Sequence, residues 1–132
     1  MKVISVPQAW TGLYGRAVLL ISLPALQFLA SQELQALVAH EVGHEYLWKE
    51  YAAARKDNDF LRLQELELAC DALGVLTLER IGVKPVRLVT GLEKIASFNR
   101  ERFGPARDQS SYPSMEVRRD LIKGMLSSSF HK

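Results

Sequence analysis

The sequence predicts a mainly α fold with a small β element, an α+β class, and three observations carry that expectation. Apolar residues recur at helical spacing from Ser31 to about Arg55 and again from Phe60 to about Ile81, stretches too long for ordinary strands. Turn formers at Lys56-Asp57-Asn58-Asp59 separate them, and Gly82 and Gly104-Pro105 supply helix stops further on. The best strand candidate is one short apolar run, Arg16-Ala17-Val18-Leu19-Leu20-Ile21-Ser22, bounded by Gly15 and Pro24.

In chain order, residues 1 to 15 carry Pro7, Gly12 and Gly15 among scattered aromatics Trp10 and Tyr14, and read as an irregular lead-in. The strand at Arg16 to Ser22 needs partners. Either residues 2 to 6 pair with it or its edge is open, and an open edge can take an extended peptide as an added strand. Leu23 to Leu29 suits a short turn of helix. Ser31 is the expected N-cap of the next helix, with Glu33 as a first-turn acid and Leu34, Leu37, Val38, Leu47 and Trp48 as its apolar stripe. In the second long helix Leu61, Leu66, Leu68, Ala69, Leu73, Leu76 and Ile81 fit a broad apolar face. Pro85 suits the first turn of a third helix, Val86 to about Arg102. Residues 105 to 112 read as a loop, Pro113 opens a last helix to about Leu126, and residues 127 to 132 read as a flexible tail.

At 132 residues the chain is expected to form a single domain spanning 1–132, with room for one core. Hydrophobic residues at 48% and charged residues at 24% exclude disorder as the default. Seventeen Lys plus Arg against 15 Asp plus Glu leave +2, interleaved rather than clustered, which argues against nucleic acid as a partner. A single cysteine, Cys70, excludes an internal disulfide framework. The apolar stretch in Met1 to Gln8 is too short and too soon broken for a secretory leader, and the greasy stretch from Ala17 to Ala30 is interrupted by Pro24 and Gln27. No membrane span is expected, and a soluble, cytoplasmic protein is the default.

The most informative stretch is Leu37-Val38-Ala39-His40-Glu41-Val42-Gly43-His44, an HExxH motif on the first long helix. Histidines four apart on a helix lie roughly 6 Å apart along the axis on one face, so His40 and His44 can grip one metal ion. Glu41 is turned partly aside, so its carboxylate can miss the metal and reach a water bound to it. That is the residue pattern of a hydrolytic zinc (Zn2+) site. A third ligand is required, and Glu50 occupies the position where a metzincin has its third histidine.

The second long helix contains Glu67 and Asp71, spaced i, i+4 in an otherwise apolar stretch. An unpaired buried carboxylate is costly, so acids in this setting point to a polar task. With a reversal at residues 56 to 59 the two helices can pack antiparallel, which returns both acids toward His40 and His44. Glu67 could then be the third ligand, and Asp71 could accept the other ring N–H of a ligating histidine. Cys70 is a competing soft ligand, but it points about a quarter turn from both acids and reads as a small buried apolar residue.

His40-Glu41-Val42-Gly43-His44 followed by Glu67-Leu68-Ala69-Cys70-Asp71 resembles the HExxH and ExxxD pair of gluzincin metallopeptidases, especially the HtpX-like and CAAX-prenyl-protease-like group. Ser111-Tyr112-Pro113-Ser114 with Arg118 resembles that group's His-Pro segment, and the similarity runs from about Leu19 to Leu126 in order. The resemblance implies a zincin-like fold, zinc bound by His40, His44 and Glu67, Glu41 as general base, and Asp71 orienting His40. The chain departs from the group in lacking its usual membrane helices, in a short interval between the motifs, and in Tyr112 where many members have His. Tyr112 could stabilise an oxyanion or pack over the cleft, and Arg118 suits a structural ion pair.

These readings imply a zinc-dependent metalloendopeptidase acting on a peptide or an unfolded protein, with a substrate strand lying along Arg16 to Ser22. Two alternatives stay open: a catalytically silent zinc-binding regulatory module on the same scaffold, and a metal-free helical interaction domain. The intact Glu41 argues against the first, since a purely structural site has no use for that carboxylate.

Overall fold

The computed structural model describes residues 1–14, 18–105 and 110–129. Among the described residues three short strands, β1 (Lys2–Ile4), β2 (Thr11–Tyr14) and β3 (Val18–Ser22), lead into six helices. These are α1 (Leu23–Phe28), α2 (Ser31–Tyr46), α3 (Trp48–Lys56), α4 (Phe60–Ile81), α5 (Val86–Phe103) and α6 (Met115–Ser129). The α+β class expected from the sequence is thus observed.

The β element is larger than expected. β3 is the middle strand of the order β1-β3-β2, parallel to β1 and antiparallel to β2. Its register pairs Leu20 to Ser22 with β1 and Val18 to Ile21 with β2. Both sides of β3 are therefore taken, which overturns a substrate strand added along Arg16 to Ser22; Arg16 itself lies outside the described residues. The lead-in of residues 1 to 15 is likewise not irregular throughout, since it contributes both partner strands. Between them, the Asn99 carboxamide accepts from the Ala9 N–H at 3.0 Å and donates to its carbonyl at 3.2 Å. That reciprocal pair fixes the lead-in to α5, a contact too remote in sequence for local pattern to signal.

Local chemistry sets the helix ends. The Ser22 hydroxyl accepts from the Ala25 N–H at 3.3 Å and opens α1. Ala30, rather than Ser31, occupies the N-cap of α2; it has no side-chain oxygen, but Glu33 reaches back to its N–H at 2.8 Å. Asn58, at φ 51°, takes the left-handed turn that asparagine tolerates, and Asp59 caps α4 by accepting from the Arg62 N–H at 3.1 Å. Gly82 closes α4 at φ 77°. The expected single helix to Arg55 is two, bent at Leu47. No glycine or proline marks the bend. α6 runs beyond Leu126 to Ser129, so helix replaces the first part of the expected tail, and residues 130–132 lie outside the described residues.

α4 packs antiparallel on α2, because contacts move back along α4 as they advance along α2: Asp71 meets His40, Cys70 meets Gly43, and Glu67 meets His44. Residues Ala36, Leu37, Ala39, Val75, Leu78, Val83, Leu88, Val89 and Ile122 form the main core between α2, α4, α5 and α6. A second cluster, Tyr51, Ala54, Leu63, Leu66 and Cys70, fastens α3 to α4, and a third, Ala9, Ile21 and Ala25, seats the sheet. Burying such side chains contributes about 1.5–3 kcal/mol each before the entropy of ordering is charged against it. The apolar face expected on α4 is rotated in the structure: Leu61, Leu76 and Ile81 are exposed, while Leu63, Glu67, Cys70, Asp71, Gly74 and Leu78 are buried. The acids stand at the middle of the buried face, so a reading by apolar residues alone misses its axis.

Candidate metal centre

The α2–α4 interface is unusually close where the motifs meet. A Cβ on Gly43 would lie 3.0 Å from the Cys70 Cα, and one on Gly74 would lie 3.4 Å from the His40 backbone nitrogen. The approach at Gly43 is too tight for a larger residue without movement, whereas the one at Gly74 is near ordinary van der Waals contact. The approach brings His40, His44 and Glu67 together as the sequence predicts. His40 Nε2 is 3.3 Å from His44 Nε2 and 3.3 Å from Glu67 Oε2, and His44 Nε2 is 2.9 Å from Glu67 Oε1. Two imidazole nitrogens and a carboxylate aimed at one point need either a shared proton or a metal ion between them.

The donor set fits a metal. Ligand bonds of about 2.0–2.1 Å in a tetrahedron place donor atoms about 3.3 Å apart, the spacing seen between the histidine nitrogens. The group His40, His44 and Glu67 could hold a metal ion. Neutral imidazole nitrogens with one carboxylate suit a borderline divalent ion better than calcium or magnesium.

Asp71 stands behind His40, as anticipated. It accepts from His40 Nδ1 at 2.8 Å, which fixes the tautomer with Nε2 turned to the site. Asp71 is fully buried, and Arg118 answers its charge with two hydrogen bonds, Nε to Oδ2 at 2.7 Å and a terminal nitrogen to Oδ1 at 2.8 Å. Arg118 from α6 is therefore the structural ion pair expected, and it also approaches Glu67 Oε2 at 3.9 Å. Burial works to raise the carboxyl pKa values of Asp71 and Glu67, but their partners prevail and hold both below the ordinary range. Burial alone would depress His40. Hydrogen bonds and charge from Asp71 and Glu67 outweigh it and raise the imidazole to about 9.

Glu41 is buried at the same place without joining the donor cluster. Its Oε1 accepts from the Thr11 hydroxyl at 3.2 Å, so β2 positions this carboxylate. The sequence reading missed Thr11, and also Tyr51. The Tyr51 hydroxyl donates to Glu67 Oε1 at 2.9 Å, and its ring stacks on His44 with centroids 4.6 Å apart. The i, i+7 spacing of His44 and Tyr51 was the available signal, and the bend at Leu47 obscured it. Burial, then the Glu67 charge, pushes the Tyr51 phenol far above its usual pKa, so it keeps the proton that it donates to Glu67. Cys70 is no part of the donor group. It is fully buried 3.5 Å from the Tyr51 hydroxyl, with burial pushing its thiol up to about 12.

His40, Glu41, His44, Tyr51, Glu67 and Arg118 line one large cleft of about 1470 Å3. Trp10, Thr11 and Gly12 lie on it with Trp48, Leu92, Ile95 and Phe103, and Tyr112 lines it too, half exposed. Burial and then the charges of Glu67 and Glu41 raise the Tyr112 phenol, so its proton stays on at neutral pH. Of the loop at 105 to 112, residues 106–109 lie outside the described residues. Among the described residues no helix is long and apolar enough to cross a membrane. No protein-family model, curated protein or solved structure matches the chain.

Proposed function

We propose that the chain is a zinc-dependent metalloendopeptidase with a zincin-like arrangement, resembling the gluzincin group. One observation carries the reading: two Nε2 atoms and a carboxylate converge within 3.3 Å of one another, with a further carboxylate, Glu41, held by Thr11 beside them. A structural site has no use for that fourth group, whereas hydrolysis needs a base.

His40, His44 and Glu67 would hold the ion. Zinc, when bound, supplies Lewis acidity that acidifies water and polarises a carbonyl. Glu41 accepts the proton of the attacking water and passes it to the leaving amine. Asp71 holds His40 in the tautomer that offers Nε2, and Arg118 keeps Asp71 ionised. Tyr112, protonated and on the cleft wall, donates to the developing oxyanion. Because β3 is enclosed, the strand available to an extended substrate beside the metal helix is β2, whose Thr11 already touches Glu41.

Zinc content and casein cleavage of the wild type and Glu41→Gln test this. Near one zinc per chain in both, with cleavage only in the wild type, is the expected result. Zinc in both with cleavage in neither would favour a silent regulatory module, and no zinc after repletion would overturn the metal site itself.

A further inference from the structure

Among the described residues, arginines outnumber acids on the cleft wall. Glu41 and Glu67 are its acidic lining groups among the described residues, and both are committed, Glu41 to Thr11 and Glu67 to His40, His44 and Tyr51. Beyond the histidines its cationic lining is Arg55, Arg100 and Arg118. Arg118 is buried against Asp71, whereas Arg55 and Arg100 are exposed and face no acid within ion-pair distance among the described residues. Two guanidinium groups without an acid partner among the described residues therefore border a cleft whose walls carry Trp10, Leu92, Ile95 and Phe103. Apolar walls strengthen the field of such charges over what open water would allow.

Arg55 is also held in place. Its guanidinium carbon lies 5.2 Å from the centre of the Tyr51 ring, and that ring stacks on the metal-site residue His44 at 4.6 Å. The ring restrains the guanidinium without neutralising it. A planar fork so placed is suited to bidentate capture of a carboxylate. An extended peptide advances about 3.4 Å per residue, so a carboxylate reaching Arg55 belongs to a residue roughly two or three positions from the carbonyl at the metal centre.

We infer that the enzyme selects peptide substrates bearing a carboxylate close to the scissile bond, bound by Arg55 and assisted by Arg100. This rests on the peptidase reading and adds the substrate class to it. The carboxylate can come from an Asp or Glu side chain or from a free C-terminus, which share one chemistry.

Internally quenched peptides test the inference, with a single Glu, Gln or Lys moved through the positions flanking the cleavage site, each with a free or an amidated C-terminus. They are assayed for kcat/KM with the full zinc-loaded chain and its Arg55→Gln, Arg55→Glu and Arg100→Gln forms. Binding of the same peptides to Glu41→Gln by fluorescence anisotropy gives a readout independent of hydrolysis. At one or two positions Glu should exceed Gln by roughly three- to tenfold in the wild type, shrinking with added salt. The advantage should collapse toward unity in Arg55→Gln and turn in favour of Lys in Arg55→Glu. Unchanged zinc content and melting temperature would show that these variants fold. An effect confined to free-terminus peptides would assign the carboxylate to the C-terminus. Cleavage without Glu or terminus preference would overturn the inference and leave the peptidase standing. Arg55-dependent preference in binding without any cleavage would uphold carboxylate capture and overturn hydrolysis, and neither preference nor cleavage would overturn both.

Discussion

At the scale of single residues, the centre is a chain of hydrogen bonds in which each member fixes the next. Tyr51 is the member that metal-ligand spacing alone does not reveal. Tyr51→Phe keeps the ring on His44 and deletes the bond to Glu67 Oε1 along with the longer contact to Cys70, so zinc affinity should fall about tenfold, within the range for outer partners of metal ligands. Competition with a chromophoric chelator measures it, and an unchanged affinity would show that Glu67 needs no help from Tyr51. Asp71 carries a heavier duty because it serves His40 and the buried Arg118 together. Asp71→Ala strands that guanidinium in the interior and should cost about 3–5 kcal/mol in urea unfolding. Arg118→Met should then restore part of the loss in the double variant, since it removes the stranded charge.

At the scale of elements, the close contact of α2 with α4 decides whether the motifs meet. Gly43→Ala places a methyl 3.0 Å from the Cys70 backbone, which cannot yield as a flexible side chain would. The helices should part slightly, at a cost of about 1–3 kcal/mol, with zinc affinity falling in parallel. Ala at the solvent-exposed Gly124, which would meet nothing within 4 Å, should be neutral or slightly stabilising and serves as the comparison. Helical elements were legible in the sequence because their ends carry local signals: Asp59 before α4, Gly82 after it, Gly104 after α5. The candidate ligands were legible for a related reason, since i, i+4 spacing is a property of one helix. Thr11, Tyr51 and the Asn99 clamp were not, because each acts across elements far apart in sequence. The sheet was half legible: β3 is strongly apolar, but β1 and β2 have three and four residues, too few to establish an alternation.

At the scale of the whole molecule, the polar centre lies between the main core and the α3 cluster, so its protonation is coupled to the stability of the fold. His40, raised to about 9 against an ordinary 6.5, stabilises the metal-free chain as imidazolium. That contribution is full below about pH 6.5 and is lost as pH climbs through about 9. Glu67 and Asp71 are depressed, so their contribution is present above their ordinary values and is lost as pH falls through their lower folded-state values. The chelated protein should therefore be most stable in mildly acidic solution, between the carboxyl range and about pH 6.5, and should lose melting temperature steadily toward pH 9. On the proposed zinc reading the ion would take the place of the His40 proton, so the loaded chain should lack that alkaline decline, and zinc binding near neutral pH should release a proton. Calorimetric melts of chelated and loaded protein across this interval, with proton release measured in buffers of different ionisation enthalpy, make the comparison. Equal alkaline slopes in both forms would mean that metal and proton do not compete for His40, and the convergence of His40, His44 and Glu67 would then need another cause.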